Sequence, residues 1–210
     1  MEELAGGAVG RVYRRGTAPF VRALLRAGVT PNALTTVGAL LIGLSAVAFG
    51  YGQIHLGGAL LLASGLIDTL DGQVARVGHK TTKWGAFYDS TLDRAGDGAL
   101  FIGIAAYLTN APDVWRRQFS IIACMVGVLS AMLVSYMRAR AEGLGMDCKV
   151  GIAQRAERIL GLGLSTLILG AGSGSLVLIV VVVVLTALSL ITVGQRFAYV
   201  RRIAGDADLQ

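Results

Sequence analysis

Proline and cysteine are scarce in this chain, at three and two residues of 210, and charged side chains make up only 15% of it. Each shortage excludes something. With so few charges beside 54% hydrophobic residues, the composition favours a compact multi-span membrane protein over a soluble domain. Cys124 and Cys148 form no CxxC pair and show no zinc-ligand spacing, so they read as reduced, structural residues. The first thirty residues lack an uninterrupted apolar core, broken as they are by Arg11, Arg14, Arg15, Arg22 and Arg26, so no cleavable signal peptide is expected. What is abundant is glycine, at 29 residues, which suits helices that approach closely in lipid.

A membrane-crossing helix needs about 20 apolar residues. Six stretches qualify: Asn32 to Tyr51, opened by Pro31; His55 to Arg76; Trp84 to Thr109; Arg117 to Glu142; Ile152 to Ala171; and Ser175 to Phe197. The loops after the first and fifth contain no Lys or Arg, whereas Arg76, Lys80, Lys83, Lys149, Arg201 and Arg202 fall on the other side. By the positive-inside rule both termini and the second and fourth loops are cytoplasmic, with Arg116 and Arg117 as exceptions. Ahead of the first span, Val12, Phe20, Val21, Leu24 and Leu25 alternate with arginines as in an amphipathic helix on the membrane surface. The expected organisation is an all-α integral membrane protein: an interfacial helix in residues 1–30, a six-helix membrane domain in 31–203 and a cytoplasmic tail in 204–210. Trp84 and Trp115 are expected at opposite interfaces. The run Val180 to Val184 reads as a lipid-facing or packing surface.

Inside these apolar stretches sit four carboxylates, in the run DTLDGQVARVGHKTTKWGAFYDSTLD from Asp68 to Asp93. An aspartate near a helix centre costs about 2.5–3.5 kcal/mol on insertion scales, so four oppose insertion by roughly 10 kcal/mol. Divalent metal offsets that cost economically, since carboxylates supply both the oxygen ligands and the charge that a hard cation takes. Asp68 and Asp71 share a helix face, and Gly85, Asp89 and Asp93 follow at intervals of four. A short loop makes the two helices antiparallel neighbours, and four facing carboxylates can hold two cations. Gly72, Ala75 and Gly85 keep the meeting surface low. Arg76 could hold a phosphate bidentately, and Thr82 could add a hydroxyl. Internal salt bridges to Arg76 and Arg94 leave carboxylates over, Asp97 included, and give no reason for small residues at positions 72, 75 and 85. A divalent-cation transporter is the reading from another class. Against it, the carboxylates cluster near one face rather than at successive depths.

Asp68, Asp71, Gly72, Ala75, Arg76, Gly85, Asp89 and Asp93 together resemble the complete motif of the CDP-alcohol phosphotransferases, with no departure at any position. The resemblance implies a six-span, often dimeric membrane enzyme that moves a phosphate-linked alcohol from a CDP-alcohol to an acceptor hydroxyl and releases CMP. It implies that Asp68, Asp71 and Asp89 are the core ligands of Mg²⁺ or Mn²⁺, two ions per site, with Asp93 both ligand and general base. Gly72, Ala75, Arg76, Thr82 and Gly85 would cradle the CDP-lipid. The expected setting is the cytoplasmic (inner) membrane, and no nucleic-acid partner is expected.

For the acceptor, Arg138, Arg140, Lys149, Arg155 and Arg158 gather at the cytoplasmic ends of the fourth and fifth spans. Topology alone would place basic residues there, but Arg155 and Arg158 lie one turn apart near a helix start, where backbone N–H groups favour anions. The segments SYMRARAEGLG and QRAERIL are similar to those of the phosphatidylinositol-phosphate synthase branch of the family. That likeness implies Arg138, Arg155 and Arg196 as acceptor-phosphate residues, with inositol phosphate as acceptor and CDP-diacylglycerol as donor. Two positions depart from the branch pattern: Arg138 stands where lysine is usual, and Ala156 replaces a proline. Glycerol 3-phosphate as acceptor, giving phosphatidylglycerophosphate, and CDP-archaeol as donor are the alternatives.

Overall fold

The computed structural model describes the backbone of residues 8–207 and the side chains of residues 17–205. The side chains of Arg11, Val12, Arg14 and Arg15, and residues 208–210 of the expected tail, lie outside the described residues. Among the described residues all regular structure is helical: α1 (Ala8–Arg26), α2 (Pro31–Gly50), α3 (Ile54–Val77), α4 (Lys83–Asn110), α5 (Arg117–Gly143), α6 (Arg155–Leu169) and α7 (Leu176–Ala207), with a 3₁₀ turn at Ser173–Ser175.

Local chemistry sets the ends. Thr30 caps α2, its hydroxyl accepting the Ala33 N–H at 3.2 Å, and Pro31 fills the first turn where its missing N–H costs nothing. Thr82 caps α4 in the same way, accepting the Gly85 N–H at 2.9 Å. Arg117 closes the other end of α4 by donating to the carbonyls of Thr109 and Ala111.

Four helical segments are long and apolar enough to cross a membrane: Pro31–Gly50, Ile54–Val77, Arg117–Gly143 and Ser173–Gly205, which makes this a multi-pass membrane protein. The two other expected spans fall short for different reasons. Helix α4 has the length but carries Asp89, Asp93, Arg94 and Asp97, and α6 is only 15 residues long because residues 144–154 form a loop.

The helices pack as a closed ring in the order α2, α3, α6, α7, α5, α4 and back to α2, with α1 lying against α3. All six contribute to one apolar centre that includes Ile42, Phe49, Leu61, Ile104, Cys124, Leu162 and Leu178. The radial pattern is that of a bilayer protein: Ser45, Ser130 and Ser189 are buried, while Leu40 is 62% and Ile168 69% exposed. Val182 packs inward and Val180 and Val184 outward, so the valine run serves both surfaces. Small residues set the closest crossings. A Cβ on Gly103 of α4 would lie 2.1 Å from the Ala46 carbonyl oxygen of α2, and one on Gly58 of α3 would lie 2.5 Å from Thr166 Oγ1 of α6.

Candidate metal and phosphate site

The ring brings one end of every helix to a common face. Asp68 and Asp71 arrive on the last turns of α3, Asp89, Asp93 and Asp97 on the first half of α4, and Arg155 and Arg158 on the first turn of α6. Thr35 enters from α2. These residues are contiguous, and a small cleft is lined by Thr35, Ser64, Asp68, Asp71, Asp93 and Arg155.

Carboxylate oxygens of Asp68, Asp71 and Asp89 all lie within 4.8 Å of one another. Asp71, itself buried, is held by a 2.7 Å hydrogen bond donated by Thr35 Oγ1 to its Oδ2. Asp89 Oδ1 is buried and accepts no hydrogen bond among the described residues. A buried carboxylate oxygen without a donor, beside two further carboxylates, is a donor set that a hard divalent cation satisfies. These three residues fit such an ion.

Ion pairs run to α6 rather than to the Arg76 and Arg94 considered from sequence. Arg155 Nη1 is 3.0 Å from both Asp68 Oδ1 and Asp93 Oδ1, and its Nε is 3.6 Å from Asp97 Oδ1. Arg158 Nη2 pairs with the other oxygen of Asp97 in a buried contact. Arg76 is solvent-exposed, and Arg94 donates to the Ser90 carbonyl of its own helix.

The small residues behave unequally. A Cβ on Gly85 would meet Thr82 Oγ1 at 3.0 Å and Asn32 Oδ1 at 3.1 Å, so α2, the loop and α4 close tightly there. Gly72 lies beneath the Arg76 guanidinium, where a Cβ would make ordinary contact at 3.5 Å. Ala75 is half-buried next to it.

Arg138 and Arg196 occupy the far side of the face. Arg138 pairs with Glu142 one turn on at 2.8 Å. Arg196 is 3% exposed, donates Nε to the Val150 carbonyl at 2.9 Å and Nη1 to the Val134 carbonyl, and lies within electrostatic range of Arg138 and Arg158. Arg155 is therefore engaged with the carboxylates, while Arg196 lies between the fields of Arg138 and of Arg158, whose Nη1 is buried without a hydrogen-bond partner among the described residues. The site also includes Thr35 and Asp97, which the motif does not contain. Asp97 had a signal, since it continues the spacing of four through Gly85, Asp89 and Asp93; Thr35 had none beyond lying one turn into a span.

A carboxylate cluster suited to divalent metal, set beside clustered guanidiniums at one end of a membrane bundle, defines a membrane protein equipped to handle phosphorylated substrates. The chain belongs to the CDP-alcohol phosphatidyltransferase family, whose sequence pattern covers residues 28–202, and it is thus a membrane transferase of phospholipid biosynthesis. It is 39% identical to the phosphatidylinositol phosphate synthase of Cutibacterium acnes over 88% of this chain and 91% of that one. It is 38% identical to the archaetidylinositol phosphate synthase of Methanothermobacter thermautotrophicus over 83% and 85%. The Mycobacterium tuberculosis phosphatidylinositol phosphate synthase with CDP-DAG bound superposes with a TM-score of 0.77 at 32% identity, covering 89% of this chain and 94% of that one. The same protein in complex with manganese and citrate gives 0.76 at 31%, covering 88% of each.

Proposed function

We propose that this protein transfers a phosphatidyl group from CDP-diacylglycerol to an inositol phosphate and releases CMP. The observation that carries the reading is the adjacency of the Asp68, Asp71 and Asp89 cluster to Arg155 and, beyond it, to Arg158, Arg138 and Arg196. One group suits a metal-bound pyrophosphate and the other a phosphorylated acceptor. The names of the relatives support the same pairing.

Asp68, Asp71, Asp89 and Asp93 would hold Mg²⁺ or Mn²⁺, two ions in this reading, which when bound would neutralise pyrophosphate charge and that of the attacking and leaving oxygens. The rest of the work belongs to the chain. Thr35 fixes the Asp71 carboxylate by its 2.7 Å hydrogen bond, so one ligand keeps its orientation through turnover. Gly72, Ala75, Arg76, Thr82 and Gly85 receive the CDP moiety, with Gly85 in a tight spot where a Cβ would press on Thr82 Oγ1 and Asn32 Oδ1, and the exposed Arg76 guanidinium free to meet a phosphate. Arg138, Arg155 and Arg196 orient the acceptor through its phosphate. Asp93 takes the proton of the acceptor hydroxyl as its oxygen bonds to the phosphorus that carries the lipid, and the bond from that phosphorus to CMP breaks.

In this reading α4 and α6 also lie within the bilayer, which restores six crossings. Helix α6 rises only about 22 Å, but it begins inside the ring, where protein rather than lipid surrounds its first turn and the loop before it. The site faces the cytoplasm of the cytoplasmic membrane by the distribution of basic residues, α1 lies along the interface, and the enzyme is a homodimer by family resemblance. The archaeal relative favours a second donor, CDP-archaeol, with the same acceptor.

The test is CMP release by purified protein with Mg²⁺, comparing inositol 1-phosphate, free inositol, glycerol 3-phosphate and serine as acceptors, with CDP-diacylglycerol and CDP-archaeol as donors. Release with inositol 1-phosphate is the expected result. Release with glycerol 3-phosphate alone overturns the acceptor assignment and keeps the transferase.

A further inference from the structure

The position between Asp68 and Asp93 is filled by a side chain of the protein itself. Arg155 Nη1 is 3.0 Å from an oxygen of each, one on α3 and one on α4. Arg155 Nε and Nη1 are buried and meet no strict hydrogen-bond geometry among the described residues. The attraction of Asp93, Asp68 and Asp97 is thus the main hold on the guanidinium, and a stronger point charge competes for the same carboxylates.

A divalent cation bridging the same two carboxylates would sit about 2.0–2.1 Å from its oxygens, too close for a guanidinium to share the position, and the two positive charges would repel. The neighbouring position, bounded by Asp68, Asp71 and Asp89, has no such occupant: Asp89 Oδ1 faces it without a donor. Local architecture also permits the exchange. Arg155 is the first residue of α6, and the exchange needs only rotation of its side chain, because the loop before it is pinned by the Ala153 N–H donating to Thr192 Oγ1 at 3.0 Å. Asp97, 3.6 Å from Arg155 Nε and paired with Arg158, offers the displaced side chain a carboxylate on the side of Arg138 and Arg196.

We propose that Arg155 is a displaceable counter-cation: in the cation-free protein its guanidinium occupies the second metal position between Asp68 and Asp93, and entry of a second divalent cation expels it toward the phosphate-binding side. Resting on the function proposed above, this makes metal loading a precondition for acceptor binding, because the arginine needed for the acceptor phosphate is withheld until the second cation enters.

The test uses Mn²⁺ alone, titrated calorimetrically into the full chain in detergent, so it is independent of any acceptor. The wild type is expected to bind two ions, the second more weakly. Arg155→Gln is expected to tighten the second site by about tenfold and to leave the first within about twofold. Arg94→Gln is the control, since Arg94 acts on Asp89 through space without occupying the bridge; it is expected to change the second site by less than about threefold. Should Arg155→Gln fail to fold, Arg155→Lys takes its place, with tightening in the same direction. An unchanged second site in the Arg155 variant, equal tightening by Arg94→Gln, or a single ion in the wild type overturns the proposal. Absence of all Mn²⁺ binding would overturn it together with the metal-dependent function, whereas a normal Mn²⁺ response without CMP release to inositol 1-phosphate would sink only the acceptor assignment.

Discussion

Thr35 donates its hydroxyl to Asp71 Oδ2 across 2.7 Å, and in doing so ties α2 to α3 at a buried carboxylate of the metal-binding cluster. Thr35 Oγ1 also lies 3.1 Å from the Pro31 carbonyl, a more distant acceptor that competes for the same hydroxyl proton. Thr35→Val keeps the shape and removes the donor. Divalent-cation affinity is expected to fall by about 10-fold or more, with the helical content unchanged, as checked by Mn²⁺ calorimetry beside circular dichroism.

Among the carboxylates the roles separate by what is lost. Asp93→Asn should lower CMP release by at least about 10²-fold while leaving CDP-lipid binding largely intact, because a base is removed and the cluster of Asp68, Asp71 and Asp89 remains. Alanine at Asp68, Asp71 or Asp89 should abolish metal-dependent CMP binding. Equal loss of turnover and CDP-lipid binding in Asp93→Asn removes the base assignment, and metal affinity retained in all three alanine variants removes the site.

Close crossings predict a contrast between two glycines of the bundle. Gly103→Ala forces a methyl to 2.1 Å from the Ala46 carbonyl oxygen and should destabilise the fold by about 1–3 kcal/mol or more. Gly43→Ala meets nothing within 4 Å and should be neutral or slightly stabilising. Thermal denaturation in one detergent compares them directly.

Arg196→Lys keeps the charge and gives up the fork that reaches the Val134 and Val150 carbonyls together. The expected effect is a rise of about tenfold in KM for the phosphorylated acceptor, with KM for the CDP-lipid unchanged. A parallel rise in both would mark Arg196 as purely structural.

Much of this architecture could be read from residue order, and the reasons are local. Thr30–Pro31 fixes the start of α2, and hydrophobic length fixes three membrane-length segments to within a residue or two, while the last runs on to Gly205 where the apolar run ends near Phe197, its helix continuing through Arg201 and Arg202 into the expected tail. The convergence of Asp68, Asp71 and Asp89 follows from intervals of three and four on two helices joined by a short loop. Harder to read was what closes the ring. Nothing in the spacing of α6 says that it inserts between α3 and α7, so Arg155 could be assigned to a basic cluster but not to a bridge between Asp68 and Asp93. The same long-range packing makes Asp97 the partner of Arg158, and turns Thr35 from an ordinary span residue into the support of Asp71. Helix α6 also misled by composition: its apolar stretch begins at Ile152, but the helix itself begins only at Arg155.

The closed order α2, α3, α6, α7, α5, α4 has a consequence for biosynthesis. A ribosome delivers α3 and α4, with their five aspartates, well before it delivers α6 with Arg155 and Arg158. During that interval the acidic ends have no arginine from α6 to face, and the place of α6 between α3 and α7 stays open. The late helix therefore brings both the missing wedge of the ring and its counter-charge, so a nascent chain stalled before Arg155 leaves the carboxylates dependent on water, headgroups or free metal until synthesis resumes.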